Sequence, residues 1–439
     1  MTNKTSVSKA DAAVEHVVSR FMAGKDKAIV ARAPAGAGKS SLVRAAVLRA
    51  AGKKRMFVSA PTNAQIADLV EGLARANPAL AMTVLHATSQ DPSPRFSAFS
   101  NVSCTSKADQ ADAEPLVLAT LDKLAYSADK LGARDALIID EAYQADSAKF
   151  FHVSDLAKRQ LLVGDSGQLS PFTTVDAGLW RGLAEDPLQT AVGVLLRNHP
   201  STPVVPLPIT RRLPPSAAVL AKHFYPGLDF DAATSVGDRA FLLDAGKGKA
   251  SAALDAALNE ASTSGWAHLV LPDEPVLVSD PAAVDAIVNL IARLFERQPR
   301  VRCEKAKALH ALQPKQVAVA VSHTLQRDML RTALDEADLA DVHVDTANRL
   351  QGLEFEVVVA WHPLAGLPDV DAFHLDPGRL CVMLTRHRHA CIVVGRAGAD
   401  RLLAEFPDSD PIFLEEPEKF PDGWQANHVV LSHLHTVRV

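Results

Sequence analysis

The chain has 439 residues, 48% of them hydrophobic, and a formal net charge of −5 at pH 7. That length and apolar content suffice for two or three ordinary cores, so a multidomain chain is expected. The acidic balance argues against a protein that coats nucleic acid by bulk electrostatics but leaves room for a local basic groove. Aromatics make up 5%, which confines any base stacking to a few positions. No stretch approaches the length needed to span a bilayer, and no apolar run stands behind the lysines of the polar first ten residues; a cytoplasmic location and no membrane partner are expected. Cys104, Cys303, Cys381 and Cys391 are scattered without C-x-x-C spacing, two of them in apolar runs that read as core strands. Reduced structural thiols are expected, with neither a disulfide framework nor a zinc site.

Taken in chain order, residues 28–33 form a short apolar run leading into APAGAGKS and then SLVRAAVLRAA, a strand, a glycine-rich loop and a helix. Apolar runs then alternate with amphipathic stretches: MFVSA before NAQIADLVEGLARA, LVLAT before LDKLAYSADKLG, then ALIID and RQLLVGD. This alternation predicts a parallel sheet with helices on both faces. Over 77–114 the pattern lapses into Pro, Ser, Asp and Thr, which reads as a small insertion or accessory subdomain. Six prolines in 200–215 read as a stiff linker. A second alternating series follows, PVLVS, QVAVAVS, VHVDT, FEVVVAW and ACIVVG, and implies a second α/β sheet. The weakly patterned 229–262 separates the linker from it. The organisation expected is a first domain over 1–199, a second over 200–405 and a C-terminal extension over 406–439.

The loop Ala33, Pro34, Ala35, Gly36, Ala37, Gly38, Lys39, Ser40 fits the Walker A pattern, with Ala33 where the first glycine usually stands. Small residues let backbone N–H groups close around phosphate oxygens, and the following helix presents its positive end. Ala35, Gly36, Ala37, Gly38, Lys39, Ser40 and Ser41 are therefore the expected nucleotide-binding residues. Lys39 would reach the β and γ phosphates, and Ser40 would ligate Mg²⁺. LIIDEAYQ delivers Asp140 and Glu141 at a strand's C-terminal end, where ligands of open α/β sheets sit. Asp140 would hold Mg²⁺ and Glu141 would orient and deprotonate the attacking water. The cofactors expected are ATP and Mg²⁺.

From Ala28 to Gly395 the chain resembles the superfamily 1 helicases, motif by motif and in order. VSAPTNAQIADLV resembles motif Ia, a nucleic-acid backbone contact in that family, and implies such a role for Pro61, Thr62 and Asn63. LLVGDSGQLSPF resembles motif III, with Gly164, Asp165 and Gln168 where the family couples the γ phosphate to the strand. LPITRRLPPSAAVLAKHFYPGL is similar to the motif IV region of the Upf-type branch and aligns Arg212 with its arginine, Arg211 being the neighbouring alternative. VDTANRLQGLEFEVVV resembles motif V, with Gln351, Gly352 and Glu354 matching toward the nucleotide and Thr346 toward nucleic acid. Asn348 stands where the UvrD/Rep branch has histidine. RLCVMLTRHRHACIVVG resembles motif VI and places Arg386 as the second arginine finger.

The resemblance implies two RecA-like P-loop NTPase domains, each a mostly parallel sheet flanked by helices. It implies a translocase on single-stranded nucleic acid, DNA ahead of RNA, moving 5′ to 3′ and hydrolysing ATP at an interdomain cleft. Arginines brought to a γ phosphate by domain closure would couple hydrolysis to stepping. The catalytic set is then Lys39, Glu141, Gln168, Arg212 and Arg386. No glutamine precedes Gln65, so the family's upstream adenine-reading glutamine is missing and other nucleoside triphosphates are open to it. Two other classes compete: a P-loop switch or protein-remodelling ATPase, and an inactive helicase-fold recruitment module. The histidines and arginine of 387–389 read as helix-end or nucleic-acid contacts rather than metal ligands, and Tyr143 and Phe172 as packing residues.

Overall fold

The computed structural model describes residues 2–169, 180, 189–246, 252–276, 278–306, 308–405 and 422–439. The chain divides into two compact units. The first comprises Ser8–Ser166 and Ser170–Pro208; the second comprises Ile209–Val439 together with Met1–Val7 and the short segment Gly167–Leu169. Each is an α/β body of the RecA-like kind.

In the first unit eight strands, β1 (Ala28–Arg32), β2 (Met56–Ala60), β3 (Met82–Leu85), β4 (Val102–Thr105), β5 (Leu116–Thr120), β6 (Ala136–Ile139), β7 (Gln160–Gly164) and β8 (Val204–Pro206), form one sheet in the order β4-β3-β5-β2-β6-β7-β1-β8. Every pairing is parallel. Successive residues therefore enter opposite cores: Ile138 packs with helices α2 (Lys39–Ala50) and α3 (Asn63–Ala76), whereas Leu137 and Ile139 belong to the core on the other face. The polar-looking N-terminus is helical over Thr2–Ala23, and Val17, Val18 and Phe21 join the first of these cores. A parallel sheet aligns its strand ends, so the C-terminal ends of β1, β2, β6 and β7 share one edge, where ligands of such sheets are held.

The insertion expected at 77–114 does not stand apart as a subdomain: it lays down β3 and β4 as the sheet's outer strands. The half-exposed edge strand β4 carries the polar sequence VSCT, which hides it from a hydrophobicity reading. Nor is 200–215 only a linker. Val204–Pro206 pairs with β1 as the opposite edge, a position that tolerates proline because one side of the strand needs no partner, and the first unit accordingly runs to Pro208.

In the second unit β9 (Ile209–Thr210) and β10 (Asp231–Ala232) make a short parallel pair, and β11 (Ala240–Leu242), β13 (Arg300–Arg302) and β14 (His310–Ala311) a small antiparallel sheet. The main sheet contains β12 (Trp266–Leu271), β15 (Val317–Val321), β16 (His343–Thr346), β17 (Phe355–Trp361), β18 (His387–Arg396) and β19 (Thr436–Arg438), all parallel, in the order β16-β15-β17-β18-β12-β19. Part of the expected C-terminal extension thus returns to the sheet as β19. Of the two cysteines in apolar runs, Cys391 lies on β18, but Cys381 lies in the helix Pro377–Leu384 rather than in a strand. A run as short as LCVML fits either element.

Three of the histidines buried in this unit are held far from protonation. His387 is fully buried, and its ring meets the edge of Trp266 at 4.9 Å. Burial pushes His387 and His362 down to about 3 and His268 to about 4. All three stay neutral in the folded chain, while the unfolded chain takes up their protons below about pH 6.5. Their folded-state values being depressed, stability is complete above about 6.5 and is lost as pH falls toward 4, by up to about 1.4 kcal/mol per histidine per pH unit. Urea midpoints are expected to be level between about pH 7 and 8 and to fall steadily below about 6.5; midpoints flat down to about pH 5 would contradict the neutral burial of these rings.

Candidate nucleotide site

The loop between β1 and α2 turns on two glycines. Gly36 and Gly38 have φ of 72° and 94°, in the left-handed region that costs a β-carbon residue about 1–2 kcal/mol. The turn is closed by Ala37 N donating to Pro34 O (3.0 Å), and Ala33 N is tied to Gly164 O at the end of β7 (2.8 Å). Lys39 and Ser40 then open α2 with Gly38 as the preceding residue.

The Lys39 ammonium lies 3.4 Å from Glu141 Oε1 and 3.4 Å from Asp165 Oδ2. Residue 141 has φ of 54°, unusual for a glutamate. It is held there by Ala142 N to Val163 O (2.9 Å) and Gln144 N to Glu141 O (2.8 Å), while its own N–H donates to Asp140 Oδ1 (3.0 Å). Gly164 is required by the same turn, since a β-carbon there would come within 2.8 Å of Tyr143 Cδ2 and 3.0 Å of the backbone nitrogens of Ala142 and Tyr143. Motif III and the Asp-Glu pair are thus parts of one packed structure.

Asp140, Glu141 and Asp165 are all buried. Burial, and then the charge of Glu141, raises the Asp140 carboxyl well above the usual range, with Lys39 opposing. Three carboxylates around one ammonium, one of them driven toward protonation, form a site whose charge a divalent cation would balance. The residues present therefore fit Mg²⁺ held by Ser40 and Asp140, beside phosphates cradled by 35–40.

The motif Ia residues follow β2 on the same sheet edge. Thr62 caps α3, accepting from Gln65 N (3.3 Å), while Gln65 Oε1 accepts from Thr62 N (3.0 Å). Asn63 donates to Gln90 (2.6 Å), and both Thr62 and Asn63 are exposed.

The remaining candidates belong to the second unit. Gln168 accepts a hydrogen bond from Gln351 Nε2 (3.0 Å), and its backbone is packed so closely that a β-carbon on Gly378 would sit 2.7 Å from Gln168 O. Gly352 has φ of 87°. Arg212 donates from Nε to Glu354 Oε2 (3.2 Å) and from Nη1 to Thr385 O (3.2 Å). Arg386 is fully buried; it donates from Nη2 to the Thr385 hydroxyl (2.8 Å) and from Nε to Val382 O (3.1 Å). The two candidate finger arginines therefore share one anchor residue, Thr385. Arg211, the alternative, is exposed. Thr346 ends β16 and is buried. Phe172 and the end of the motif III segment lie outside the described residues.

Sequence reading missed Thr385 as an anchor and missed Arg239. This buried arginine donates to the carbonyls of Arg211 (2.7 Å), Arg212 and Arg388 (2.9 Å) and to Glu304 Oε2 (2.8 Å), and so sets the backbone on which Arg212 stands. It lies in the weakly patterned 229–262, where nothing in the sequence marks it.

Residues 11–197 match a family described as AAA domain, and residues 275–398 match a second family, also described as AAA domain. The first match contains the phosphate-loop, Ia, Asp-Glu and III segments and the second the V and VI segments, in the order found in superfamily 1 helicases, while the segment around Arg212 lies between the two matches. Each half of the chain thus carries a domain of the AAA type. No curated protein matches it. Among solved structures the chain is similar to the PRRSV helicase, at 14% identity and a TM-score of 0.44, covering 91% of this chain and 57% of that one. It is also similar to arterivirus nonstructural protein 10, a helicase solved in complex with DNA, at 14% identity and a TM-score of 0.45, covering 87% and 61%. A further structure of arterivirus nonstructural protein 10 gives 15%, 0.44, 90% and 64%. The chain thus spans roughly three-fifths of the length of these helicases.

Proposed function

We propose that this chain is an ATP-driven translocase on single-stranded nucleic acid, DNA ahead of RNA, moving 5′ to 3′. The observation that carries the reading is the arrangement around motif III. Asp165 holds Lys39 of the phosphate loop, and three residues later Gln168 is bonded to Gln351 of motif V. A change in what Lys39 binds is thereby passed, over four residues of backbone, to motif V, in which the family resemblance assigns Gln351 to the nucleotide and Thr346, five residues before it, to nucleic acid.

In the proposed cycle, backbone N–H groups of 35–40 and the Lys39 ammonium hold the phosphates, and Glu141, anchored by its turn, orients the water and takes its proton. Mg²⁺ held by Ser40 and Asp140 would supply electrostatic stabilisation of the phosphate oxygens. Arg212 and Arg386 act as the fingers and stabilise charge on the transferring group when the domains close. Pro61, Thr62, Asn63 and Thr346 contact the strand. Contacts of this kind are largely to phosphates and carry little sequence information.

The test is the steady-state hydrolysis rate of the full chain with no polymer, single-stranded DNA, single-stranded RNA or duplex. Stimulation of about tenfold or more by a single strand, larger for DNA, is expected. A rate indifferent to every polymer would replace the translocase with a switch or remodelling ATPase that answers to a protein.

A further inference from the structure

Cys303 just beyond β13, Glu356 on β17 and His389 on β18 converge from three separate elements of the second unit. Their donor atoms, one thiol sulfur, one carboxylate oxygen and one imidazole nitrogen, all lie within 4.8 Å of one another. Glu356 stands between the other two: Cys303 Sγ is 3.9 Å from each of its oxygens, and His389 Nδ1 is 2.7 Å from Oε2. Tetrahedral zinc with bonds of about 2.0–2.3 Å separates its ligands by about 3.3–3.8 Å, so a side-chain adjustment of about 1 Å completes the geometry.

The backbone is shaped to bring them together. Phe355 pairs with His387 and Val357 with Ala390, so Glu356 faces both Arg388 and His389 across a register shift. Such a bulge inserts one residue and re-aims the side chains around it. Here it puts His389 beside Glu356 in what is otherwise a regular parallel ladder.

The imidazole is also set up as a ligand. The His389 side chain is 1% exposed, and Nε2 lies 3.1 Å from the Arg302 carbonyl. Nδ1 is buried and is held against Glu356 Oε2 at 2.7 Å. A ring with one nitrogen on a backbone carbonyl and the other aimed at a carboxylate and a thiol matches metal-ligating histidines, in which the outer carbonyl fixes the tautomer. The surrounding charge tolerates a dication. Glu304, Glu354 and Glu356 stand against Arg239, Arg388 and Arg212, with Arg388 Nε 3.8 Å from Glu356. Binding with loss of the Cys303 proton adds a single net positive charge.

We propose that Cys303, Glu356 and His389 form a site for a zinc-type divalent cation, the fourth position being taken by water. Sulfur, nitrogen and oxygen donors in one site favour zinc over Mg²⁺ or Ca²⁺, which take oxygen ligands. Cys303 and Glu356 are partly exposed, which gives the ion a way in, and a groove lined by Ser264, Arg239 and Arg388 reaches the third ligand, His389.

The test uses the full chain, stripped with a chelator and titrated with Co²⁺ and then Zn²⁺. One equivalent of Co²⁺ is expected to produce a thiolate-to-cobalt charge-transfer band with tetrahedral ligand-field bands, and Zn²⁺ to abolish both. Cys303→Ser should remove the charge-transfer band, and His389→Gln should weaken binding by at least about tenfold, the lower end of what disturbing even an outer-shell partner costs. Far-ultraviolet circular dichroism verifies that each variant is folded, and Zn²⁺ should raise the melting temperature of the unmodified chain but not of Cys303→Ser. A missing band in the unmodified chain, a band unchanged by Cys303→Ser, or binding lost only in Asp140→Asn would overturn the proposal.

Discussion

Lys39→Ala is expected to lower the strand-stimulated hydrolysis rate by at least about a hundredfold, the scale lost when one preorganised charge is withdrawn from a transition state. Lys39 is the ammonium that the structure places between Glu141 and Asp165, at 3.4 Å from each. Removing it withdraws the proposed phosphate contact and takes the ammonium from between those two buried carboxylates. Breaking a buried ion pair in this way costs about 3–5 kcal/mol, unless the acids take up protons instead. The variant should therefore melt at lower temperature without nucleotide and recover little when nucleotide and Mg²⁺ are added, whereas the unmodified chain is stabilised by binding. Circular dichroism separates this from unfolding. If Lys39→Ala kept more than about a tenth of the rate, phosphates would not be bound at this loop and the site would have to be sought elsewhere.

What the sequence disclosed and what it hid follow from how strongly each segment is constrained locally. Buried parallel strands must be apolar along their whole length, so AIVAR, MFVSA, ALII, VAVAV and FEVVVAW were readable, and the phosphate loop was readable because its chemistry demands small residues at fixed spacing. Edge strands obey a weaker rule: β4 is half exposed, β8 contains proline and β19 is three residues long, and all three were read as insertion, linker or tail. Positions set by contacts distant in sequence left no local trace. Arg239 reaches Arg388 across 149 residues and Arg212 reaches Thr385 across 173. The run His387 to His389 reads as helix-end or nucleic-acid contacts, because nothing in three polar residues reveals that they begin a central strand with a register shift. The cysteines show the same limit. Spacing along the chain shows nothing of Cys303 lying beside Glu356, 53 residues away.

Arg386→Ala is expected to lower the stimulated rate by about a thousandfold, the lower end of what an arginine finger contributes, while nucleotide affinity changes by less than about tenfold. Arg386 is buried, so its truncation also removes packing, and the loss of rate must be separated from loss of fold. Two comparisons do this. Arg386→Lys keeps a positive charge and most of the stem but loses the planar fork that bonds Val382 and Thr385, and it should be nearly as slow as the alanine variant. Thr385→Val leaves both arginines in place and removes only the hydroxyl beneath Arg386 Nη2, a hydrogen bond to a charged group worth about 1.5–3 kcal/mol. Its rate should fall between those of Arg386→Ala and the unmodified chain, because Arg212 holds the Thr385 carbonyl, which the substitution keeps. If Arg386→Lys instead restored most of the rate, charge alone would account for the residue's role and the finger assignment would pass to Arg212.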